Sequence, residues 1–371
     1  MSANTTQPTH LSRPLTGRQI WHGDDLKRSG EWIRQWPDGA VEEIDRAWRQ
    51  TVNRGVSETQ ITAEDFPLPG LQGFFDELLD ELEDGLGVVR VSGFPVERYA
   101  PAELRSIFWG IGMHLGLAVN QADKGEMIGE VRDESRVNLR VSDELTLHRD
   151  KDSSDELPVL SSRSRARSNG PLRFHTDGCD LIALLCTQTA DIGGETRVAS
   201  AAAVYNEILA RRPDLHRLLC EDYYRYLPES DSLPERERIF ALPIFGLQAG
   251  KLTTQYSRTF VEQAQSYAWV PQMSAAQIEA LDLWAEYCEK LSMTAPFALG
   301  DLQILNNHQA YHGRTAFHDD VEGGKERLLL RLWLSPKNNR ALPESHGSFW
   351  DSTDAGMPRS SIRSRVAAAA E

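Results

Sequence analysis

The chain has 371 residues, a formal net charge of -15, 40% hydrophobic residues and 26% charged residues. Such a composition is ordinary for a soluble globular protein, while the acidic balance repels nucleic-acid backbones and anionic membranes and argues against both as partners. The polar start MSANTTQPTHLSRPLTGRQ lacks the apolar core of a signal peptide, and no window has the apolar length of a membrane span, so a cytoplasmic location is expected.

In chain order, residues 40–54 and 71–86 have the periodicity of amphipathic helices, the second being FFDELLDELEDGLG with its glycine stop. Residues 1–86 therefore read as a helical N-terminal extension. GVVRVSGFPV, at 87–96, alternates like a strand, and a helix is expected over 101–115. Residues 132–170 are polar and rich in Ser, Asp and Arg, the composition of a surface insertion or an active-site lid. Strand-like runs then recur at LIALLCTQTA, IFALPIFGLQ, KLTTQYSR, APFALGDLQILNN and RLLLRLWLSP, with helices over 201–220 and 274–291. After Pro336 the periodicity is lost, and 337–371 reads as a loop-like tail.

Strands scattered in this way with long connections predict one α+β catalytic domain, with a jelly-roll or barrel core over 87–336 carrying helices on its outside. Cys179, Cys186, Cys220 and Cys288 have neither C-x-x-C nor zinc-ribbon spacing and are expected to be plain buried thiols.

The pattern H-x-D occurs four times, at His22/Asp24, His148/Asp150, His175/Asp177 and His318/Asp320. His148 and Asp150 form an HRD, but no glycine-rich phosphate loop or DFG accompanies it, which excludes a protein kinase. Of the four, His175 and Asp177 head a run built for a buried strand, where residues two apart project from one face. An imidazole and a carboxylate so placed need one more ligand to make a 2-His-1-carboxylate facial triad. LGDLQILNNHQAYHGRTAF, at 299–317, offers His308 and His312, with His318 just beyond. All three have the same parity, so periodicity does not choose among them.

That segment resembles the distal metal-binding motif of the taurine dioxygenase and clavaminate synthase-like family of Fe(II)/2-oxoglutarate oxygenases: Gly-Asp, a short apolar run, Asn307, then His-x-Arg-x-x-Phe. The family's Gly-Gly-acidic-Thr turn is matched by GGET at 193–196, and its two arginines four apart by Arg327 and Arg331 in ERLLLRLWLSP. The resemblance implies a double-stranded β-helix of the cupin-like kind. It also implies a metal site of His175, Asp177 and His312, and 2-oxoglutarate held by Arg327 with Thr196. The reaction implied is oxidation of a small molecule by O2, with release of succinate and carbon dioxide.

Arg331 would then meet an acidic group of the substrate, a carboxylate before a sulfonate, with amino-acid-like metabolites first. Asp177 favours hydroxylation or desaturation, since the halogenating relatives carry a small residue in its place. Two other readings share the same residues: a cupin-like binding protein without turnover, and a hydrolase or isomerase using the triad with zinc. Self-association as a homo-oligomer is compatible with all three.

Overall fold

A computed structural model describes residues 12–121, 125–135, 166–227 and 234–361. The apolar run Leu181–Gln188 is an inner strand of the larger sheet, hydrogen-bonded to Leu302–Asn306 on one side and Leu328–Ser335 on the other. Val88–Ser92 and Ile33–Gln35 extend the first side, while Leu117–Ala118 and Ile128–Val131 pair with Leu328–Ser335. Only the Ile33–Gln35 pairing is parallel within this sheet.

The run lacks polar alternation because the sheet is covered on both faces. Leu181, Ala183 and Leu185 pack outward with Leu330, Leu332 and Leu334 beneath the helices Ala40–Asn53, Gln72–Asp84 and Pro101–Leu115. Ile182, Leu184 and Cys186 turn inward with Leu329 and Trp333. Each fully buried Leu or Ile contributes about 1.5–3 kcal/mol relative to exposure, so this two-sided burial pins the register strongly.

The smaller sheet runs Met293–Ala295, Thr196–Ser200, Ala310–Arg314, Leu172–His175, all antiparallel. Ala199 and Tyr311 pack outward against the helices Ala201–Arg211, Pro213–Leu219 and Ala275–Leu291. The two sheets enclose a cavity lined from one side by Ile182, Leu184 and Leu329 and from the other by His175, Thr196 and His312. This is the expected jelly-roll with flanking helices.

Four local expectations need correction. The N-terminal region is no mere extension, because Ile33–Gln35 forms an edge strand of the larger sheet. The helix expected over 201–220 breaks at Arg212, and Pro213 opens a second helix, where its missing N–H has no cost. IFALPIFGLQ divides into Ile239–Pro243, paired with Asp222–Tyr226, and Phe245–Gln248, paired with Lys251–Thr254. In APFALGDLQILNN the long strand begins only at Leu302, after Gly300 at φ +78°.

Of the segment expected as a lid, 136–165 lie outside the described residues. Its two ends meet through a hydrogen bond from the Glu134 N–H to the Arg167 carbonyl at 2.8 Å and an Arg167–Glu134 ion pair at 3.2 Å. The cysteines are as expected for three: Cys179, Cys186 and Cys288 are buried thiols, whereas Cys220 is half-buried. Burial pushes Cys186 and Cys220 up to about 12, so both stay protonated near neutrality.

Among the described residues of the tail, a 3-10 turn lies at Glu344–Ser348, and side chains from this segment are built into the interior. Arg340 bonds Glu83 at 3.0 Å, and Arg359 bonds Asp180 at 2.6 Å, with all four residues buried. His308 Nε2 lies 2.8 Å from the same Asp180 oxygen, and Ser335 and Asn339 donate to its other oxygen at 3.1 Å. Burial acts to raise the Asp180 carboxyl, yet His308 and Arg359 outweigh it and hold the group below its ordinary value. Removing one partner strands the other charge in the interior, so Arg359→Ala should lower stability by about 3–5 kcal/mol. Urea unfolding followed by fluorescence measures it, and a midpoint unchanged from the parent protein would show that the tail is not part of the cooperative fold.

Candidate active site

The smaller sheet sets His175 and His312 directly opposite each other as register partners on antiparallel strands. Their ring centroids lie 4.3 Å apart. Asp177 does not share that strand as the alternation predicted, because the strand ends at His175. Here the chain leaves the ladder: the Thr176 N–H donates to the Tyr256 carbonyl at 2.8 Å, and the Asp177 N–H donates to Asn307 Oδ1 at 2.9 Å. Asn307 also donates from Nδ2 to the Cys179 carbonyl at 3.0 Å. A side chain of the distal motif thus aims the carboxylate that the pleat was expected to aim.

Asp177 Oδ1 is 3.7 Å from His175 Nε2, and Oδ2 is 3.8 Å from His312 Nε2. These gaps exceed a hydrogen bond. One ligand atom from each of the three residues falls within 4.8 Å of the others, a spacing that a small cation between them can close. His175 Nδ1 lies 2.9 Å from the Arg173 carbonyl, which fixes the proton on that nitrogen and leaves the Nε2 lone pair facing Asp177. Burial, then repulsion from His175 and Arg331, pushes His312 down to about 3, so its ring is neutral at pH 7.

Burial acts to raise the Asp177 carboxyl, but His312, Arg331, His175 and the Trp333 indole together outweigh it and keep it below its ordinary value. Of these, the indole N–H lies 3.2 Å from Oδ2. Two imidazoles and one carboxylate are a donor set suited to Fe(II) with positions left open.

Among the described residues, the other candidate histidines are not brought to this cluster. His308 is buried between Asp180 and Thr253, with Nδ1 2.6 Å from the Thr253 hydroxyl. His318 is exposed on the short strand Phe317–His318, and His22 precedes the helix Gly23–Ser29. His148 lies outside the described residues.

Arg327 sits one residue before the strand Leu328–Ser335 rather than on it, yet Arg327, Leu329, Arg331 and Trp333 all line the cavity, as alternation predicted. Burial lowers the Arg327 guanidinium to about 10, leaving it charged, and its buried NH1 has no hydrogen-bond partner among the described residues. Gly194 makes room for it: its φ is +74°, and a Cβ there would lie 2.8 Å from Arg327 Cδ and Nε. The GGET turn is therefore more than a change of chain direction. Thr196 accepts from Gln303 Nε2 at 3.0 Å, and its own hydroxyl hydrogen has no acceptor among the described residues. Arg314 is used differently, donating to the carbonyls of Ser168 and Gly170 at 2.6 and 2.7 Å.

Arg331 donates from Nε to Gln121 Oε1 at 2.6 Å, and Gln121 Nε2 donates back to the Arg331 carbonyl at 2.9 Å. Its guanidinium lies over the Trp333 ring at 5.4 Å and forms no ion pair among the described residues. Gln121 and the Trp333 indole are contacts that sequence reading missed, since no local motif marks either. Phe349 and Ser361 of the tail also line the cavity, which loss of periodicity gave no means of finding.

Residues 53–333 match the taurine catabolism dioxygenase TauD, TfdA family. The chain belongs to that family. It is an Fe(II)/2-oxoglutarate-dependent dioxygenase that oxidises small substrates with O2. Among its relatives, FR-33289 synthase of Streptomyces rubellomurinus is 27% identical over 94% of this chain and 98% of its own length. The taurine hydroxylase-like protein SAT17 of Stachybotrys chartarum is 29% identical over 87% of this chain and 80% of its own. Among solved structures, an asparagine oxygenase superposes with a TM-score of 0.60 at 14% identity, covering 82% of this chain and 93% of that one. The non-heme iron oxygenase OrfP with iron and alpha-ketoglutaric acid gives 0.58 at 15% identity, over 82% and 94%. Family membership sets aside the binding-protein and hydrolase readings. No helix among the described residues is long and apolar enough to cross a membrane.

Two measurements test the residue assignments. After anaerobic reconstitution, His312→Ala should lose most of its iron, whereas His308→Ala should retain iron and lose stability. The reverse pattern in metal analysis would move the ligand to His308. Arg327→Ala should bind iron normally but weaken 2-oxoglutarate by about two to three and a half decades, the equivalent of roughly 3–5 kcal/mol for stranding a buried carboxylate. An unchanged 2-oxoglutarate dissociation constant would remove Arg327 from the site.

Proposed function

We propose that this dioxygenase hydroxylates an unactivated C–H bond of a small carboxylate-bearing, amino-acid-like metabolite, with the acid group received by Arg331. The observation that carries the reading is the neutral partner of that arginine. Gln121 orients the guanidinium without cancelling its charge. A guanidinium cannot shed its proton, and a cation lining a largely apolar cavity calls for an anion.

Of the arginines that line the cavity, Arg167, Arg173 and Arg258 pair with protein carboxylates and Arg314 donates to the Ser168 and Gly170 carbonyls, which leaves Arg327 and Arg331 for anionic ligands. Arg327, with the free hydrogen of Thr196, suits the far carboxylate of 2-oxoglutarate, for which a planar fork is well shaped. Arg331 then remains for the substrate. The names of relatives support an acidic ligand: one is a uridine-5'-phosphate dioxygenase of Streptomyces and another is taurine hydroxylase-like. The solved structures with hydroxylated asparagine and hydroxylated arginine support an amino-acid-like one.

His175, Asp177 and His312 would hold Fe(II). With 2-oxoglutarate and O2 the metal centre supplies the oxidant, one oxygen atom entering the C–H bond, the other entering succinate, and carbon dioxide leaving. The chain's own groups do the positioning. His175 and His312 would offer imidazole nitrogens, Asp177 the anionic donor, and Arg327 and Thr196 would fix the cosubstrate. Arg331 fixes the substrate by its acid group, and Ile182, Leu184, Phe297 and Leu329 present apolar walls that keep water from the reacting carbon. The presence of Asp177 favours hydroxyl insertion over halide transfer.

Substrate-stimulated succinate release, with Fe(II), 2-oxoglutarate and ascorbate, tests the reading across amino acids, other carboxylates, sulfonates and neutral amides. Acidic members should stimulate release. On the best of them, Arg331→Ala should raise the substrate KM by about two decades or more. An uncharged best substrate, or a variant that loses affinity for 2-oxoglutarate alone, would refute it.

A further inference from the structure

Trp333 stands between the two charged centres of the cavity. Its backbone is fixed on both sides, since it is the register partner of Ile182 and its carbonyl accepts the Val119 N–H at 2.9 Å. The side chain, 8% exposed, points inward on the face shared with Leu329 and Arg331. There the indole Nε1–H donates to Asp177 Oδ2 at 3.2 Å, while Arg331 covers its ring at 5.4 Å. The main chain of Asp177 is held separately by Asn307 at 2.9 Å. The carboxylate is thus fixed at both ends, with Oδ1 the oxygen nearer His175 Nε2, at 3.7 Å, and carrying no hydrogen bond among the described residues.

This division of the two oxygens matters for the count of coordination positions. A carboxylate can bind a metal through one oxygen or through both. An octahedral ion held by three protein atoms keeps three positions open, two for the carboxylate and keto oxygens of 2-oxoglutarate and one for O2. If both Asp177 oxygens bind, one of those three is lost.

We propose that Trp333 is a positioning residue that keeps Asp177 a one-oxygen ligand: its indole N–H holds Oδ2 away from the metal and leaves Oδ1 to bind it. The proposal rests on the assignment of His175, Asp177 and His312 as ligands. It adds a residue that touches neither metal nor cosubstrate and is needed for the cosubstrate to chelate. Hydrogen bonds to ligating groups of this kind change metal affinity or activity by about 10–100-fold when lost.

Two substitutions separate the N–H from the ring that carries it. Trp333→Phe keeps an aromatic face for Arg331 and removes the donor. Trp333→His restores a ring N–H at nearly the same distance from the backbone. Each metal-free protein is first checked by thermal unfolding, then loaded anaerobically with Fe(II) and titrated with 2-oxoglutarate. The readout is the visible charge-transfer absorption of the Fe(II)–2-oxoglutarate chelate, which needs no substrate. Trp333→Phe should bind one iron yet weaken 2-oxoglutarate by about 10–100-fold, with a shifted or weakened band. Trp333→His should return both towards the parent values. Parent-like titrations in Trp333→Phe, or equal losses in both variants, would overturn the proposal. If instead the parent protein binds no iron, or His312→Ala retains it, the ligand assignment falls and takes the proposal with it.

Discussion

A carboxylate buried beside two imidazoles is the constraint on which the rest of the site depends. Among the described residues, Asp177 has no ion pair at hydrogen-bonding distance, only one indole N–H to its side chain, and the His175 and His312 nitrogens stand off at 3.7 and 3.8 Å. An ionised carboxylate taken out of water and left so costs several kcal/mol unless a cation meets it. The neighbouring arginine, Arg331, stacks on Trp333 and binds Gln121 instead of pairing with Asp177. Among the described residues no protein cation pairs with this charge, an arrangement suited to a metal ion.

The same rule explains the contrast between the site and the opposite end of the loop that bears Asp177. Three residues on, Asp180 is also buried, but it is satisfied completely by His308, Arg359, Ser335 and Asn339. One aspartate is a closed structural network and the other an open chemical one, and Asn307 joins them by bonding the Asp177 N–H and the Cys179 carbonyl. The tail thereby contributes to the site without touching its reacting centre. Arg359 fixes Asp180, and the loop from Asp177 to Asp180 has little freedom to move the carboxylate.

Much of this was legible in the sequence where a feature repeats or alternates. Leu328 to Ser335 reads as a two-faced strand, and the structure places Leu330, Leu332 and Leu334 under the helices while Leu329, Arg331 and Trp333 face the cavity. The choice of His312 over His308 could not come from parity. It came from a resemblance; in the structure His308 is occupied by Asp180 and Thr253, whereas His312 opposes His175 across a strand pair. What stayed illegible were contacts between residues far apart in the chain with no pattern of their own. Gln121 lies 210 residues before Arg331, and Arg359 lies 179 after Asp180.

The identity of one neutral residue then bears on chemistry more than its bulk does. Had position 121 carried a carboxylate, Arg331 would be half of a closed ion pair and its field at Asp177 would be largely cancelled. With glutamine there, the guanidinium is held by one bond from Nε at 2.6 Å while its charge continues to act on Asp177 and on whatever enters. On the proposed assignment, the strand Leu328–Ser335 and the residue before it would arrange three functions in order along one face: Arg327 for the cosubstrate, Arg331 for an anion, and Trp333 for the Asp177 carboxylate. Because side chains on a strand repeat every second residue, a one-residue slip of this strand would turn Arg331 and Trp333 into the helical core and Leu330 and Leu332 into the cavity. The outward leucine rows thus do more than stabilise the sheet: by making that slip prohibitively unfavourable, they set the register in which the site exists.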